Sequence, residues 1–104
     1  MHKEVIVYEE PWSDISEYPE GHGSALEREL RSEVGLTHPL YEKSFSIIAK
    51  REDRDDVLVK SDSLFFVVHL TWSGCRESES YPLTDIYSTE EDLRIRLESD
   101  IQNY

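Results

Sequence analysis

The stretch SLFFVVHLTWSG, residues 63–74, is the most apolar part of the chain and decides the fold. Side chains of a β-strand alternate between the two faces of a sheet, which places on one face Leu64, Phe66, Val68, Leu70 and Trp72. The other face carries Phe65, Val67, His69, Thr71 and Ser73, and it turns polar toward the end of the strand. A strand that is apolar on much of both faces is typical of the centre of a sheet. We therefore predict a central strand whose wholly apolar face lies in the main core.

His69 lies in the middle of this strand, where the second face changes from apolar to polar. One interpretation is structural: the imidazole packs on the sheet and bonds a backbone carbonyl or a carboxylate. The other is functional: the imidazole projects into a cleft beside Thr71 and Ser73 and exchanges a proton near neutral pH. Both interpretations stay open, because a ligand, a catalytic base and a core histidine look alike in a sequence.

Two shorter strands precede the central one. SFSIIAK, residues 44–50, alternates in part between apolar and polar residues, and VLVK, residues 57–60, is short and β-branched. The charged segment REDRDD, residues 51–56, separates them. SDS, residues 61–63, forms a second turn whose side chains can bond their own backbone. Three strands at this close spacing predict an antiparallel meander.

Two other segments have the period of a helix, at about residues 25–34 and within the terminal residues 88–104. Each carries an apolar stripe. The first is formed at four-residue spacing by Leu26, Leu30 and Val34, and the second at three- or four-residue spacing by Leu93, Leu97, Ile101 and Tyr104. We predict one helix before the meander and one after it.

These elements predict an α+β fold: a helix, a three-stranded antiparallel meander and a second helix, in a single domain over residues 24–104. Both helices are expected to pack on the face that carries Leu64, Phe66, Val68, Leu70 and Trp72. Residues 1–23 form an acidic N-terminal arm that can add a strand at VIVY, residues 5–8. A sheet this small leaves strand edges exposed, which predicts a possible homodimer through an edge.

The chain carries 23 acidic and 11 basic residues among 104, a formal net charge of −12. Nucleic acid and anionic membranes need lysine and arginine at the contact, so the charge argues against both as partners. The same charge attracts a basic protein partner, although surface acidity also serves solubility alone. Cys75 is the single cysteine, and no segment resembles a signal peptide or a membrane span. These features predict a cytoplasmic protein.

The acidic residues before the second strand, Asp55 and Asp56, are candidates for acid–base chemistry with His69. Adjacent strand residues point to opposite faces, which argues against a joint role for the two carboxylates, and a solvated hairpin turn is the simpler interpretation. The four histidines and one cysteine lack metal-ligand spacing. No phosphate-binding loop or nucleophile elbow is present. We therefore predict no metal and no cofactor.

The runs HPL at 38–40, IAKREDRDDVL at 48–58 and VVHLTWSG at 67–74 resemble segments of a family of small, uncharacterised bacterial proteins. Members carry a short helix, an H-P-L-Y segment, a turn ending in D-D-V-L, a V-H-L-T-W-S strand and a terminal helix. The resemblance covers roughly residues 24–103 and leaves the acidic arm outside. It implies a shape and no mechanism, since the family has no assigned activity. It directs attention to six positions: His38, Asp55, Asp56, His69, Thr71 and Trp72.

The candidate binding residues are Trp72, Thr71 and His38. Tryptophan is enriched at binding hot spots, although the position of Trp72 on the apolar face suits the core at least as well. Two functions remain. The favoured one is a non-catalytic acidic module that binds a basic protein. The alternative is a small enzyme or metal-dependent module that uses His69 with Asp55 or Asp56.

Overall fold

The computed structural model describes residues 8–35, 38–72 and 83–103. In chain order the elements are β1 (Trp12–Asp14), a 3-10 helix (Ile15–Glu17), α1 (His22–Glu33), β2 (Ser46–Arg51), β3 (Asp56–Ser61), β4 (Leu64–His69), β5 (Thr84–Tyr87) and α2 (Glu90–Gln102). Most of the predicted strand at 5–8 and the loop with Cys75 lie outside the described residues. No helix in the described part of the chain is long and apolar enough to cross a membrane.

The sheet has five strands in the order β1-β2-β3-β4-β5, and every neighbouring pair is antiparallel. The prediction of a three-stranded sheet is therefore wrong, although an α+β class remains consistent with the structure. The three predicted strands form the middle of the sheet as β2, β3 and β4. Sequence patterns missed the outer strands because β1 has 3 residues and β5 has 4, too few to show a strand period.

The two helices cover opposite faces of the sheet, so the prediction that both pack on one face is also wrong. On one face, Leu26 and Leu30 of α1 pack in a cluster with Phe66 and Val68 of β4. On the other face, α2 packs against Phe65 and Val67, using Leu93 and Leu97. The physical reason lies in β4 itself: its second face begins apolar and needs its own cover from water.

Part of the acidic arm joins the fold. Trp12 of β1 is 1% exposed and lies in the core under α2. Its indole Nε1 donates a hydrogen bond to Asp100 Oδ2 of α2 at 3.0 Å. The N-terminal strand is thus formed at Trp12–Asp14, and Tyr8, the described residue of the predicted strand at 5–8, lies outside any strand. Burial of a whole indole ring, with its N–H bonded, ties the arm to the last helix.

Candidate functional site

The end of β4 meets the start of β3 and the start of β5. The Leu70 amide donates to the Asp55 carbonyl at 2.9 Å, and the His69 amide donates to the Leu83 carbonyl at 2.9 Å. We call the group formed here the exit surface, and it consists of Asp55, His69, Thr71, Trp72 and Leu83. All five are exposed. Four of the six positions that the resemblance marked therefore share one end of the sheet.

Asp56 and His69 are direct partners across the β3–β4 ladder. His69 Nδ1 lies 2.7 Å from Asp56 Oδ1, and the side chain of His69 is 51% exposed while that of Asp56 is 7% exposed. In the neutral ring, Nδ1–H donates to the carboxylate and Nε2 is left as a proton acceptor. The structure thus pairs His69 with Asp56, whereas Asp55 is exposed and contacts β4 through its backbone. This arrangement can orient an imidazole for proton transfer.

A cleft of about 460 Å³ lies beside this pair. It is bordered by Arg54, Asp85 and Arg96 as well as His69, with Leu83 as an apolar wall. Arg96 Nη1 donates to Asp85 Oδ2 at 2.7 Å, so one positive charge in the cleft is already balanced. The cleft is polar and has room for a small ligand or for a side chain of a partner.

Glu33, at the last position of α1, holds the chain that leaves β4. Its side chain is fully buried. The Thr71 amide donates to Glu33 Oε1 at 2.8 Å, and the Trp72 amide donates to Oε2 at 2.9 Å. One carboxylate therefore satisfies two consecutive backbone donors beyond the end of β4. Hydrogen bonds to a charged acceptor are among the stronger ones in proteins.

Trp72 lies outside the core, so the prediction that it continues the apolar face is wrong. Trp72 is 49% exposed. Its backbone has φ 60°, a left-handed conformation that costs a bulky residue roughly 1–2 kcal/mol. The alternation of faces holds as far as Leu70, which is buried with Phe66 and Val68. It ends there because the next two amides bond Glu33 instead of a neighbouring strand. Glu33 offsets the strain and presents the indole to solvent.

Burial raises the pKa of Glu33 above its ordinary value of 4.5, and a hydrogen bond to Glu29 raises it further, while the bonds from Thr71 and Trp72 lower it. At pH values between the two pKa values, Glu33 keeps its proton in the folded chain but has released it in the unfolded chain. Glu33 therefore stabilises the fold most below pH 4.5, and this contribution is lost as the pH rises through the folded-state pKa.

We expect this titration to appear as a difference between the wild type and Glu33→Gln, which cannot ionise. The free energy of unfolding of the wild type, relative to that of the variant, should fall as the pH rises above 4.5, the ordinary pKa of the group. Urea denaturation at several pH values measures both proteins under identical conditions. A difference that stays constant as the pH rises would contradict the raised pKa of Glu33 in the folded chain.

His38 is buried, in the turn that follows α1. The Leu40 amide donates to His38 Nδ1 at 3.1 Å, so Nε2 carries the hydrogen and donates to Thr84 Oγ1 at 2.8 Å. His38 thereby joins the turn after α1 to the start of β5. The structure places it near the exit surface but beneath it, where it supports the fold.

An ionic network under α2 was not predicted. Asp100 Oδ2 accepts hydrogen bonds from Trp12 Nε1 and from Arg96 Nε, each at 3.0 Å. Asp100 Oδ1 lies 3.3 Å from Arg51 Nη1, and the side chain of Arg51 is 5% exposed. Arg51 also bonds Asp53 through Nε at 2.6 Å. The four-residue spacing of Arg96 and Asp100 is the signal in the sequence that could have indicated this pair.

Within the three described ranges, no group of three or more His, Cys, Asp or Glu side chains could hold a metal ion. Comparisons with protein-family models, with the curated proteins and with the solved structures found no match for the chain. The family resemblance therefore stays a prediction, and function has to be inferred from the geometry.

Proposed function

We propose that the protein is a non-catalytic binding module that engages a basic protein through the exit surface. The observation that carries this proposal is the exposure of Trp72 to solvent. The indole is half exposed in a strained backbone conformation, and a buried carboxylate holds it there by two bonds. Strain of this kind concentrates at functional positions.

The surroundings of Trp72 suit a positively charged partner. Arginine and lysine side chains stack favourably on an indole face. The turn that ends beside β4 carries three exposed carboxylates, Glu52, Asp53 and Asp55, and one exposed cation, Arg54. Asp53 is paired with Arg51, so the excess of negative charge rests on the other two and on the net charge of −12. The field of such a surface speeds association with a basic protein and selects against acidic ones.

The bonded backbone of Trp72 also limits the entropic cost of binding. The bonds to Glu33 fix the backbone at Thr71 and Trp72, so this segment loses little backbone freedom when a partner arrives. Aromatic residues surrounded by polar neighbours are the usual hot spots of protein interfaces. We therefore expect Trp72 to supply most of the affinity and the carboxylates to supply the steering.

A pair of matched charge variants tests the steering. Asp55→Asn and Asp62→Asn each remove one exposed carboxylate, but Asp62 lies in the β3–β4 turn at the other end of the sheet. Asp62 has φ 54°, which asparagine tolerates well. We expect Asp55→Asn to weaken capture of the basic partner from a nuclease-treated lysate by roughly threefold or more, and Asp62→Asn to have a smaller effect.

Salt provides the second arm of this test. Rim charges are screened over about 10 Å at 0.1 M salt and over shorter distances at higher salt, so the complex should weaken as salt rises. If the affinity changed neither with salt nor with Asp55→Asn, charge would not contribute to binding, and the electrostatic part of the proposal would be wrong.

The His69–Asp56 pair favours a second candidate, general acid–base catalysis in the adjacent cleft. The buried carboxylate orients the ring at 2.7 Å, and the exposed side of the imidazole faces the solvent. If the pair acts as a base, hydrolysis of an activated ester such as p-nitrophenyl acetate should fall at least about tenfold in His69→Gln. Equal rates in the wild type and this variant would dismiss the candidate.

A further inference from the structure

The ionic network under α2 extends to the cleft beside β4. Its members are joined in sequence by salt bridges, in the order Asp53, Arg51, Asp100, Arg96 and Asp85. Three carboxylates alternate with two guanidinium groups, so the network has an excess of negative charge. Of its two ends, Asp85 is the more exposed, at 65% against 31% for Asp53. Because Asp85 also lines the cleft, the unbalanced charge is accessible there.

Two side chains of the cleft can accept further hydrogen bonds. Within the described part of the chain, Asp85 Oδ2 accepts from Arg96 at 2.7 Å, and Oδ1 accepts none. The side-chain hydrogen bond of His69 runs from Nδ1 to Asp56 at 2.7 Å. Because Nδ1–H is the donor in the neutral ring, Nε2 keeps a lone pair that accepts. The side chain of His69 is 51% exposed, so a donor of another molecule can reach it.

The two arginines that border the cleft do not make it a site for an anion. Arg96 already donates to Asp85, to Asp100 and to the hydroxyl of Tyr87. Arg54 is exposed, and it lies in the turn whose three exposed carboxylates outnumber it. The charges around the cleft therefore favour a cation over an anion.

We propose that this cleft binds the ammonium group of a lysine side chain of the basic partner, through His69 Nε2 and the Asp85 carboxylate. The inference rests on the proposed function, which supplies the lysine, and it names a contact that the partner makes in addition to Trp72. His69 and Leu83 belong both to the exit surface and to the lining of the cleft. A partner that covers Trp72 therefore lies within reach of the cleft.

Lysine suits this site better than arginine. The two acceptors belong to different strands, His69 to β4 and Asp85 to β5. An ammonium group has three donors around one nitrogen, so it can bond both acceptors at once. A guanidinium group holds its donors in a planar fork that matches a single carboxylate. The apolar stem of lysine packs against Leu83, which is 52% exposed at the wall of the cleft.

The test uses Nα-acetyl-lysine amide as the probe. Its control is Nα-acetyl-norleucine amide, which has the same stem without the ammonium group. NMR on the full chain at about pH 8, at which histidine is ordinarily neutral, follows the Nε2 nitrogen of His69 and the backbone amide of Asp85. We expect the lysine probe at roughly 10 mM to shift both signals, and the norleucine control to leave Nε2 unchanged. An Nε2 signal that does not move with the lysine probe would overturn the proposal.

Asp85→Asn removes the charge and keeps the size of the side chain. Asp62→Asn, at the other end of the sheet, is the matched control. We expect Asp85→Asn to weaken binding of the lysine probe at least about fivefold, and Asp62→Asn to change it by no more than about twofold. Equal binding by Asp85→Asn would overturn the proposal. The probe data on the wild type decide the matter if this variant does not fold.

Nα-acetyl-arginine amide tests the choice of lysine. Because its planar donors match one acceptor rather than two, we expect it to bind at least about threefold more weakly than the lysine probe. Binding as tight as that of lysine would overturn the assignment of the cleft to lysine.

Capture from lysate separates this inference from the proposed function. If Trp72→Ala abolishes capture of the basic partner and Asp85→Asn leaves it unchanged, the proposed function stands and the lysine contact is wrong. If the lysine probe binds at His69 and Asp85 but the wild type captures no basic protein, the ammonium site stands and the proposed function is wrong.

Discussion

Replacement of Asp100 by alanine is expected to lower the free energy of unfolding by about 3 kcal/mol, because breaking a buried ion pair strands the partner charge. Asp100 receives bonds from Trp12 and Arg96 and lies beside the buried guanidinium of Arg51. Alanine leaves the Trp12 N–H unsatisfied in the core, while Arg51 keeps Asp53. The loss should therefore lie at the lower end of the range for buried pairs. Urea denaturation followed by circular dichroism measures it.

Two variants of α2 act as controls for this prediction. Asp100→Asn keeps an oxygen that can accept one of the bonds but removes the charge, so it should fall between the wild type and alanine. Glu98→Ala removes an exposed carboxylate from the same helix and should change stability by no more than about 0.5 kcal/mol. If Asp100→Ala and Glu98→Ala were equally mild, the network would not hold α2 to the sheet.

Replacement of Glu33 by leucine is expected to cost about 2 kcal/mol, because each unsatisfied buried donor costs about 1–3 kcal/mol and release of the strain at Trp72 returns part of it. Leucine fills a similar volume but accepts no hydrogen bond from Thr71 or Trp72. For a chain of this size the loss corresponds to a fall in Tm of roughly 10 °C. Calorimetry or thermal circular dichroism measures the shift.

The matched comparison for Glu33 lies on the same helix. Glu27→Leu makes the same chemical change at a position that is only half-buried and should be close to neutral. Glu33→Leu should also lose the partner more completely than its stability loss explains, because Trp72 is no longer held in place. Full binding by a folded Glu33→Leu protein would show that Trp72 needs no positioning by Glu33.

The parts of the fold that sequence predicted are those in which periodicity and burial agree. β2, β3 and β4 and the stripes of α1 and α2 repeat apolar residues at the spacing of their element. β5 could not be predicted in this way, because it is short and its Ile86 side chain is exposed. The placement of α2 depended on the second face of β4. Its apolar start at Phe65 and Val67 was visible in the sequence, but no helix was predicted to pack on it.

The site followed the same division. The sequence indicated His69 as a candidate, with Asp55 or Asp56 as its partner. The two carboxylates could be distinguished only by the strand register, which pairs His69 with Asp56. Glu33 and Thr71 are separated by 38 residues, and no local pattern connects a helix carboxylate with two distant amides. Trp72 was named as a candidate binding residue, but it was also placed on the apolar face of the strand, because strand alternation was extended past Leu70 to residues whose amides bond Glu33.

Affinity capture with Trp72→Ala and Trp72→Phe beside the wild type tests the central claim most directly. The tagged proteins are incubated with nuclease-treated lysate of the source cells, and bound proteins are quantified by mass spectrometry. The wild type and Trp72→Phe should retain the same basic protein, in amounts nearly equal to each other. Trp72→Ala should lose at least about 90% of it, since removing a hot spot costs about 2 kcal/mol or more. Retention of the same protein by Trp72→Ala, or enrichment of no basic protein by the wild type, would contradict the claim that the exit surface is a binding site for a basic partner.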